Sequence, residues 1–449
     1  MRKRGTFASG FGTVAAVGGS VIGLGNIWRF PYIAGENGGA AFILVYVLVS
    51  LLLSVPLMLS EFSIGRHSRR NAMRAFRKVA PGRPAWQGVG LLGIATALLI
   101  LGFYSVIAGW ALEFLREAAA GSFRAQTPAG LKENFDTFVD SGWRPVLWTL
   151  LFVAMNGVIV SRGIQKGIEK FNKVVTPLMF LILLGMAVNS FTLGGLREAV
   201  DFVFRPDFSK ISGAVVMQAV GQSFFSMSLG MGIMITYGSY LRPGDSMFRV
   251  AGTVAVSDVC IAILSGLAIF PAVFTFGISP TSGPELVFLT LPNIFAQMTG
   301  GYLIGILFFF LLFAAAITSS VSLTEVVVAY VSEEFRLSRR KASLLTVLAV
   351  GVLATLCALS QMRGSPLTVA GKDLFDLFDS LTSTYMMPVG GLLIVIFAGW
   401  VMKKELLRRE ITSDGRYGTG IYPFVRALIR FFVPAVIALL FLTQLGLLK

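Results

Sequence analysis

Charged side chains are scarce in this sequence of 449 residues, since Asp, Glu, Lys and Arg together make up only 14% of it. Soluble domains carry about 25%, so an ordinary soluble protein is excluded. Histidine and cysteine are rarer still: there is one histidine, His67, and there are two cysteines, Cys260 and Cys357, far apart in the chain. This scarcity argues against a disulfide framework and against a metal or acid–base site built on histidine or cysteine.

Apolar residues make up 55% of the chain, and its mean hydropathy is +0.77. Apolar runs of about 18 residues or more, the length of a membrane-spanning helix, recur from end to end. The alternating pattern of a membrane barrel is missing. No cleavable signal peptide stands out, because the first apolar run leads directly into a glycine-rich motif. The sequence therefore predicts an all-α polytopic membrane protein.

The net charge of +15 is distributed over short segments on every second side of the predicted spans. This is the positive-inside pattern and not a nucleic-acid-binding face, so no nucleic-acid partner is expected. It predicts that the N-terminus lies inside and the C-terminus outside. We predict eleven spans, at about 11–33, 39–61, 87–117, 143–161, 170–191, 212–240, 249–276, 300–333, 342–360, 376–402 and 422–447.

The chain is organised around a glycine-rich stretch, Gly18–Pro31, which contains Asn26 and Arg29. Each glycine weakens a helix interior by about 1 kcal/mol relative to alanine, so we predict that the first span is broken here. Inside a membrane, opened backbone is tolerated only where it is buried in protein or lines a cavity. The alternative, a close contact between helices through small residues, explains neither Asn26 nor Arg29.

A second interruption, Phe225–Gly232, lies in the middle of the sixth predicted span. Two broken spans, each of which opens a block of five, indicate an inverted repeat with a binding site near the midplane. The chain is then one transporter domain, 1–449, with repeat one at about 7–191, repeat two at about 212–402 and an additional span at about 421–447.

These motifs resemble the neurotransmitter:sodium symporter family, in particular its bacterial amino-acid transporters. The resemblance covers nearly the whole chain and rests on the segments Gly23–Pro31, Glu36–Gly39, Gly163–Lys170, Gly221–Phe225 and Thr318–Ser320. The family usually has twelve spans, and some bacterial members have eleven. The resemblance implies a symporter that couples two sodium ions to the import of neutral hydrophobic L-amino acids, aliphatic and aromatic, by alternating access. It also implies a location in the cytoplasmic (inner) membrane of a prokaryote, and it leaves open whether the chain forms a homodimer.

The resemblance further implies two sodium sites that consist of oxygen atoms. The first comprises the carbonyl of Val21 with groups of Asn26, Ser226 and Asp258, for which Ser257 is the alternative. The second comprises the carbonyls of Gly19, Ile22 and Ala315 with the hydroxyls of Thr318 and Ser319. Ordinary hydrogen bonding to the preceding helical turn is the alternative explanation of those two hydroxyls.

Asp258 is the most informative single residue, because a carboxylate within a span is costly and indicates function by default. Related animal transporters hold chloride near this place and have Asn at about this position. A fixed carboxylate supplies that negative charge, so the resemblance implies uptake that does not depend on chloride. The alternative is a solvated carboxylate near the membrane edge.

The resemblance also maps a substrate pocket onto Ser20, Val21, Gly23, Gly25, Ile100, Tyr104, Phe225, Ser226, Ser228, Met231, Ser319 and Leu323. Backbone amides near Gly23 and Gly25 can bind a carboxylate, to which Tyr104 would donate its hydroxyl. Gly23 lacks the acidic side chain of amine-selective members. Met231 replaces a larger phenylalanine and adapts its shape, which favours bulky apolar substrates. Simple packing is the alternative role of Met231 and Leu323.

Two pairs of charges resemble the family's gates. Arg29 and Asp379 resemble the outer pair, and Arg4 and Glu333 the inner pair. Each could instead be an interfacial charge of no special function. Phe7 stands where the family usually has a tryptophan, which weakens the assignment of the inner gate.

Gly167 and Pro177 are separated by nine residues near the start of the fifth span. Proline kinks a helix and glycine eases its unwinding, and the related bacterial pattern is linked to a water path to the second sodium. The alternative is a static kink. For Glu61, at the inner end of the second span, we predict a structural hydrogen-bonding role.

Three other interpretations compete with this one. A proton-coupled amino-acid transporter or antiporter of the same architecture could use Asp258 and Glu61 as a relay. A channel is disfavoured because the motifs do not repeat as a pore ring. An enzyme has the least support, since no nucleophile–base set or cofactor fingerprint is present.

Overall fold

The computed structural model describes residues 5–124, 126–277, 286–298 and 300–444. In chain order, its main helices are α1 (Gly10–Val21), α2 (Gly25–Glu36), α3 (Ala40–Ser68), α4 (Ala72–Val79), α5 (Pro84–Ala120), α6 (Pro128–Asp140), α7 (Trp143–Ser161), α8 (Ile164–Ser190), α9 (Leu196–Phe204), α10 (Gly213–Ser226), α11 (Ile233–Gly238), α12 (Met247–Thr275), α13 (Val287–Gln297), α14 (Gly301–Glu334), α15 (Arg339–Ser360), α16 (Leu374–Val401), α17 (Lys404–Ile411) and α18 (Tyr422–Thr443).

Nine of these helices are long and apolar enough to cross a membrane within the described ranges, and each overlaps one predicted span. They are α3, α5, α7, α8, α12, α14, α15, α16 and α18. The prediction of an all-α polytopic membrane protein is confirmed, with one small exception. Strands β1 (Thr368–Val369) and β2 (Lys372–Asp373) pair antiparallel. Ala370 and Gly371 both have positive φ between them, as a tight hairpin turn requires.

The first predicted span is broken where the glycine-rich stretch lies. Helices α1 and α2 form a pair bent by 48°, and Ile22 between them leaves the helical region with φ −77° and ψ 86°. This pair is the tenth apolar segment of the described chain. The break releases backbone groups from helical hydrogen bonding inside the bundle, and a bound ion or substrate can use them.

The sixth predicted span is broken too. Between α10 and α11, residues 227–232 are not helical, and Ser228, Gly230 and Gly232 have positive φ. Gly230 also lies so close to α16 that a β-carbon on Gly390 would stand 2.6 Å from the Gly230 carbonyl oxygen. Both predicted breaks are therefore present. The pairing of the two halves as an inverted repeat stays a prediction.

Helices α5 and α14 form the centre of the bundle. In their most apolar windows, 72% of α5 and 78% of α14 are buried, against 28% for each of α8 and α18. Exposed apolar residues on outer spans face lipid, because lipid tails are as apolar as the side chains. The two broken spans contact this inner layer, which places the freed backbone away from lipid.

Candidate functional site

One cavity lies between the two breaks and the central helices. Its lining is the complete predicted pocket set, that is Ser20, Val21, Gly23, Gly25, Ile100, Tyr104, Phe225, Ser226, Ser228, Met231, Ser319 and Leu323. The cavity has a volume of about 30 Å³, about the room that one or two waters need. A bulky substrate therefore requires the apolar side chains around the cavity to move.

Gly23 and Gly25 bring the backbone of the first break against two other elements. A β-carbon on Gly23 would collide with the hydroxyl of Ser319, and one on Gly25 would lie 3.2 Å from the Phe225 ring and 3.3 Å from the Ser226 α-carbon. A side chain at Gly23 would have to displace the Ser319 hydroxyl, and one at Gly25 would press against Phe225 and Ser226. The lack of side chains leaves the neighbouring amides accessible from the cavity.

The polar groups of the cavity are few. Ser228 Oγ donates to the Ser20 carbonyl at 2.8 Å, and Ser319 Oγ lies 3.4 Å from the same oxygen. The hydroxyl of Tyr104 is buried near the Ser319 side chain and the Leu24 backbone, but it makes no hydrogen bond of good geometry with the described residues. A buried unpaired hydroxyl is costly, and a carboxylate bound in the cavity would accept its hydrogen bond.

The predicted first sodium site is a cluster of side-chain oxygens from three helices. Asn26 Nδ2 donates to Asp258 Oδ1 at 2.9 Å. Ser226 Oγ lies within hydrogen-bond distance of both Asn26 Oδ1 and Asp258 Oδ1 and can donate its one proton to either. All three residues are buried, so a carboxylate, an amide oxygen and a hydroxyl converge in a dry place. Oxygen ligands of this kind suit a hard cation.

Asp258 lies inside the bundle, fully buried, rather than at a solvated edge, whereas Ser257 is only partly buried. Tyr46 on α3 donates its hydroxyl to the second oxygen of Asp258. Tyr46 is not among the predicted site residues, because a single tyrosine hydroxyl within an apolar span is its only signal in the sequence. Both carboxylate oxygens are thus fixed by hydrogen bonds from three different elements.

The predicted second sodium site lies where α14 meets the first break. Thr318 Oγ1 lies 3.0 Å from the Ala315 carbonyl, 3.1 Å from the Ala314 carbonyl and 3.5 Å from the Ile22 carbonyl. Thr318 therefore does bond to the preceding turn, as the alternative explanation holds, and it also faces the opened backbone of the break. The structure brings together Ile22, Ala315 and Thr318, with Ser319 next to them.

Gly19 faces α8, where it lies against Asn172 and Thr176. Neither of these two residues was predicted from the sequence. A β-carbon on Gly19 would stand 2.8 Å from Asn172 Cγ and 3.1 Å from Thr176 Oγ1. The amide of Asn172 and the hydroxyl of Thr176 are buried without a hydrogen-bond partner among the described residues. Bound water can satisfy such groups. The two residues, which lie between Gly167 and Pro177 on α8, form a polar patch next to the second predicted sodium site.

Glu61 is fully buried and accepts a hydrogen bond from the Gly230 amide at 2.8 Å. It thereby satisfies a backbone donor that the second break has released, which fits the predicted structural role. Its other oxygen has no hydrogen-bond partner among the described residues.

The predicted outer pair is not joined in the structure. No ion pair links Arg29 to Asp379 within the described residues. Instead the Arg29 guanidinium carbon lies 4.7 Å from the centre of the Phe225 ring, a cation–π contact that competes with pairing to a carboxylate. Phe225 lines the cavity, so the Phe225 ring connects Arg29 to the site.

Of the predicted inner pair, only Glu333 is described by the structure, because Arg4 lies outside the described residues. Glu333 accepts hydrogen bonds from the backbone and side-chain nitrogens of Asn71 at 3.0 and 3.1 Å. Phe7 is buried, edge-on to the rings of Tyr237 at 5.8 Å and Tyr240 at 6.0 Å. The aromatic cluster closes this end of the bundle next to a basic cavity of about 930 Å³ that contains Glu333.

Glu325 is a further buried acid that the sequence analysis missed. It forms an ion pair with Arg339 and accepts a hydrogen bond from Tyr240 at 2.6 Å. Its position within an apolar span was the available signal, because such acids are functional candidates by default. The network links α14 to the aromatic cluster around Phe7.

The predicted hinge residues both lie in α8. Gly167 belongs to a π-helical start, Ile164–Glu169, and Pro177 lies inside the helix that follows. Residues 164–190 are helical throughout, so the helix is not interrupted at Gly167 or at Pro177. Glu169 is buried and accepts a hydrogen bond from the Ala8 amide at 2.7 Å, and Gln165 donates to the Thr6 carbonyl at 2.7 Å.

His67 takes part in an ion-pair network apart from the cavity lining. Its Nδ1 lies 3.4 Å from one oxygen of Glu410, and Arg66 Nε lies 2.9 Å from the other. Burial raises the pKa of the Glu410 carboxyl, but hydrogen bonds from His67 and Arg66 outweigh burial and hold that pKa below its ordinary value. The network joins α3 to α17.

Several known proteins are similar to this chain in sequence, and one solved structure is similar to it in fold. The sequence model of the sodium:neurotransmitter symporter family matches residues 4–134 and 130–448. Uncharacterized sodium-dependent transporters of Bacillus subtilis and Haemophilus influenzae are 38% and 35% identical to the chain, in alignments that cover 99% of it and 98% and 99% of the relatives. The crystal structure of MhsT in complex with L-phenylalanine has a TM-score of 0.90 and 40% identity, covering 98% of this chain and 100% of MhsT.

These matches agree with the two breaks and with the cavity between them. The relatives are transporters, so the chain is a multi-pass membrane transporter and not an enzyme. It belongs to the sodium:neurotransmitter symporter family.

Proposed function

We propose that this sodium-dependent symporter imports neutral hydrophobic L-amino acids, aliphatic and aromatic, by alternating access and without a need for chloride. The observation that carries the proposal is the single cavity between two broken spans, with a cluster of oxygen atoms on either side of the first break. MhsT, which has the same fold, binds L-phenylalanine. We further propose two transported sodium ions and a cytoplasmic membrane location with the N-terminus inside.

The residues present fit the two kinds of cargo. One sodium ion would be held by the carbonyl of Val21 with Asn26, Ser226 and Asp258. The other would be held by Ile22, Ala315 and Thr318, with Gly19 and Ser319. The substrate carboxylate would be held by the amides around Gly23 and by the unpaired hydroxyl of Tyr104. Linkage supplies the coupling, because ligands that favour the same state of the bundle tighten each other's binding.

The apolar end of the cavity favours substrates whose side chains bury more apolar surface there. Phe225, Met231 and Leu323 form this wall, and each buried methylene is worth about 0.8 kcal/mol. Leu, Ile, Met, Phe, Tyr and Trp should therefore be preferred over Ala and Gly. Charged side chains would be buried without a partner and should be rejected. A free amine without a carboxylate would leave the Tyr104 hydroxyl unpaired.

The proposal is tested by uptake of tritiated leucine into proteoliposomes of the purified protein. We expect saturable uptake that needs a sodium gradient, stops when potassium replaces sodium and continues when gluconate replaces chloride. Uptake driven by a proton gradient in the absence of sodium would support the proton-coupled alternative and contradict the proposal.

Replacement of Met231 should narrow the range of substrates. Met231 is buried and lines the cavity, so Met231→Phe puts a stiff ring where a flexible side chain can move aside. Overpacking of this kind costs about 1–3 kcal/mol, and we expect Trp to lose about tenfold in its inhibition of leucine uptake while leucine itself changes little. A competition panel with Trp, Phe and tryptamine measures this.

Met217→Phe, on α10 and outside the cavity lining, is the matched control. The pocket assignment fails if Trp inhibits the Met231→Phe variant as well as the parent. It also fails if tryptamine competes as well as Trp in the parent.

A further inference from the structure

A groove of about 430 Å³ lies where α7 ends and α8 begins. Its rim carries three basic side chains, and its wall is apolar. The basic residues are Arg162, Lys166 and Lys170, and the apolar ones include Ile159, Phe171 and Val174. Lys166 and Lys170 lie about one turn apart on α8, and Arg162 stands opposite them, just after the end of α7.

The basic side chains of the rim have no counter-charge. Arg162, Lys166 and Lys170 are exposed, and their side chains form neither ion pairs nor hydrogen bonds with the described residues. The nearby acid, Glu169, is buried and already occupied by Lys173 at 2.7 Å. Three positive charges therefore stand together at one end of the groove.

The groove opens onto the lipid-facing surface of α8. Val174 is 63% exposed, and Leu181, two turns further along, is 62% exposed. Exposed apolar side chains on a membrane span contact acyl chains. Cations at the end of a span, next to a lipid-facing apolar surface, lie at the level of lipid head groups. The two halves of the groove thus match the two halves of a phospholipid.

We propose that this groove binds an anionic phospholipid. The phosphate of the lipid is held by Arg162, Lys166 and Lys170, and one acyl chain lies along Phe171 and Val174. A zwitterionic lipid carries its own cation and leaves the three charges uncompensated. The site is separate from the cavity for the amino acid, and it does not depend on which substrate is transported.

The same lipid would fix the start of α8. The floor of the groove is Gly167, where a β-carbon would collide with the Ile159 carbonyl and lie 3.3 Å from Arg162 Cβ. The π-helical turn Ile164–Glu169 therefore rests directly on the end of α7. A phosphate that bridges Arg162 on one side to Lys166 and Lys170 on the other holds this turn closed.

Native mass spectrometry of the purified protein with added dioleoyl phosphatidylglycerol or dioleoyl phosphatidylcholine tests the site. The groove variant is Arg162→Gln with Lys166→Gln and Lys170→Gln. Its matched control is Arg408→Gln with Lys403→Gln and Lys404→Gln, one arginine and two lysines that are likewise exposed. Each cation near a lipid surface contributes a factor of roughly five, so we expect the groove variant to lose phosphatidylglycerol affinity by well over tenfold.

In the parent and the control, phosphatidylglycerol should bind more tightly than phosphatidylcholine and should slow hydrogen exchange of the amides in 164–169. In the groove variant both effects should vanish, while the thermal unfolding temperature in phosphatidylcholine stays that of the parent. If the control variant lost as much phosphatidylglycerol affinity as the groove variant, the lipid would bind through nonspecific attraction to positive charge, and the proposal would be overturned. Displacement of the lipid by millimolar inorganic phosphate would show a phosphate site without lipid, and would overturn it too.

Discussion

An Asp258→Asn variant should lose about a hundredfold in apparent sodium affinity, and its remaining uptake should become stimulated by chloride. Asp258 is fully buried and fixed by Asn26, Ser226 and Tyr46. Asparagine keeps the shape but removes the charge, and an interaction with a charged group contributes about 1.5–3 kcal/mol. If the carboxylate supplies the negative charge next to a sodium ion, an added anion can replace part of it.

Sodium titrations of leucine uptake, each run in chloride and in gluconate, measure this effect. Asp201→Asn is the control, because that carboxylate is exposed on α9 and its side chain has no hydrogen-bond partner in the described structure. Strict chloride dependence of the unmodified protein would refute the account. An Asp258→Asn variant with the sodium response of the parent would equally refute it.

A Thr318→Ala variant should raise the sodium concentration for half-maximal uptake about thirtyfold. Its hydroxyl lies near the carbonyls of Ile22 and Ala315, where the second ion is proposed to bind. Loss of one oxygen that contacts a charge corresponds to about 2 kcal/mol. Thr318→Ser retains the oxygen and should restore most of the affinity.

Thr324→Ala is the matched control for this prediction. Thr324 lies on the same helix and donates to the Ser320 carbonyl of the preceding turn at 2.8 Å, but it does not face the first break. Ordinary hydrogen bonding within α14 predicts equal effects of the two alanine variants. A selective effect of Thr318→Ala on sodium affinity, with unchanged insertion and stability, separates a ligand from a helix hydroxyl.

The fold was predictable from composition and glycine spacing, because membrane spans must be long and apolar and breaks need residues that tolerate them. The cavity lining was predictable only through the family resemblance, since helices 80 to 300 residues apart in the chain contribute to it. The predicted fifth span begins at residue 170, six residues after the start of α8 at Ile164. Its π-helical turn, Ile164–Glu169, contains Lys166 and Glu169, which mark a span boundary in the sequence alone.

Contacts between distant side chains escaped prediction for a physical reason. Arg29 is long and flexible, and the sequence does not show that the Phe225 ring, rather than Asp379, receives its guanidinium. Tyr46 and Asn172 are single polar residues in apolar spans, and their neighbours depend on how the helices rotate. Glu325 is different, because an acid within a span is visible in the sequence and should have been singled out.

The contacts between the N-terminal segment and the start of α8 have a kinetic consequence. Gln165 donates to the Thr6 carbonyl, and Glu169 accepts from the Ala8 amide, so movement of the N-terminal segment, residues 5–9, or of the start of α8 alone breaks both bonds. If the N-terminal segment swung away by itself, the buried carboxylate of Glu169 would lose a backbone donor and keep only Lys173, at a cost of about 1–3 kcal/mol. Departure of the N-terminal segment and unwinding of the π-helical turn should therefore share one rate constant, and spectroscopic labels on the two segments should report the same relaxation.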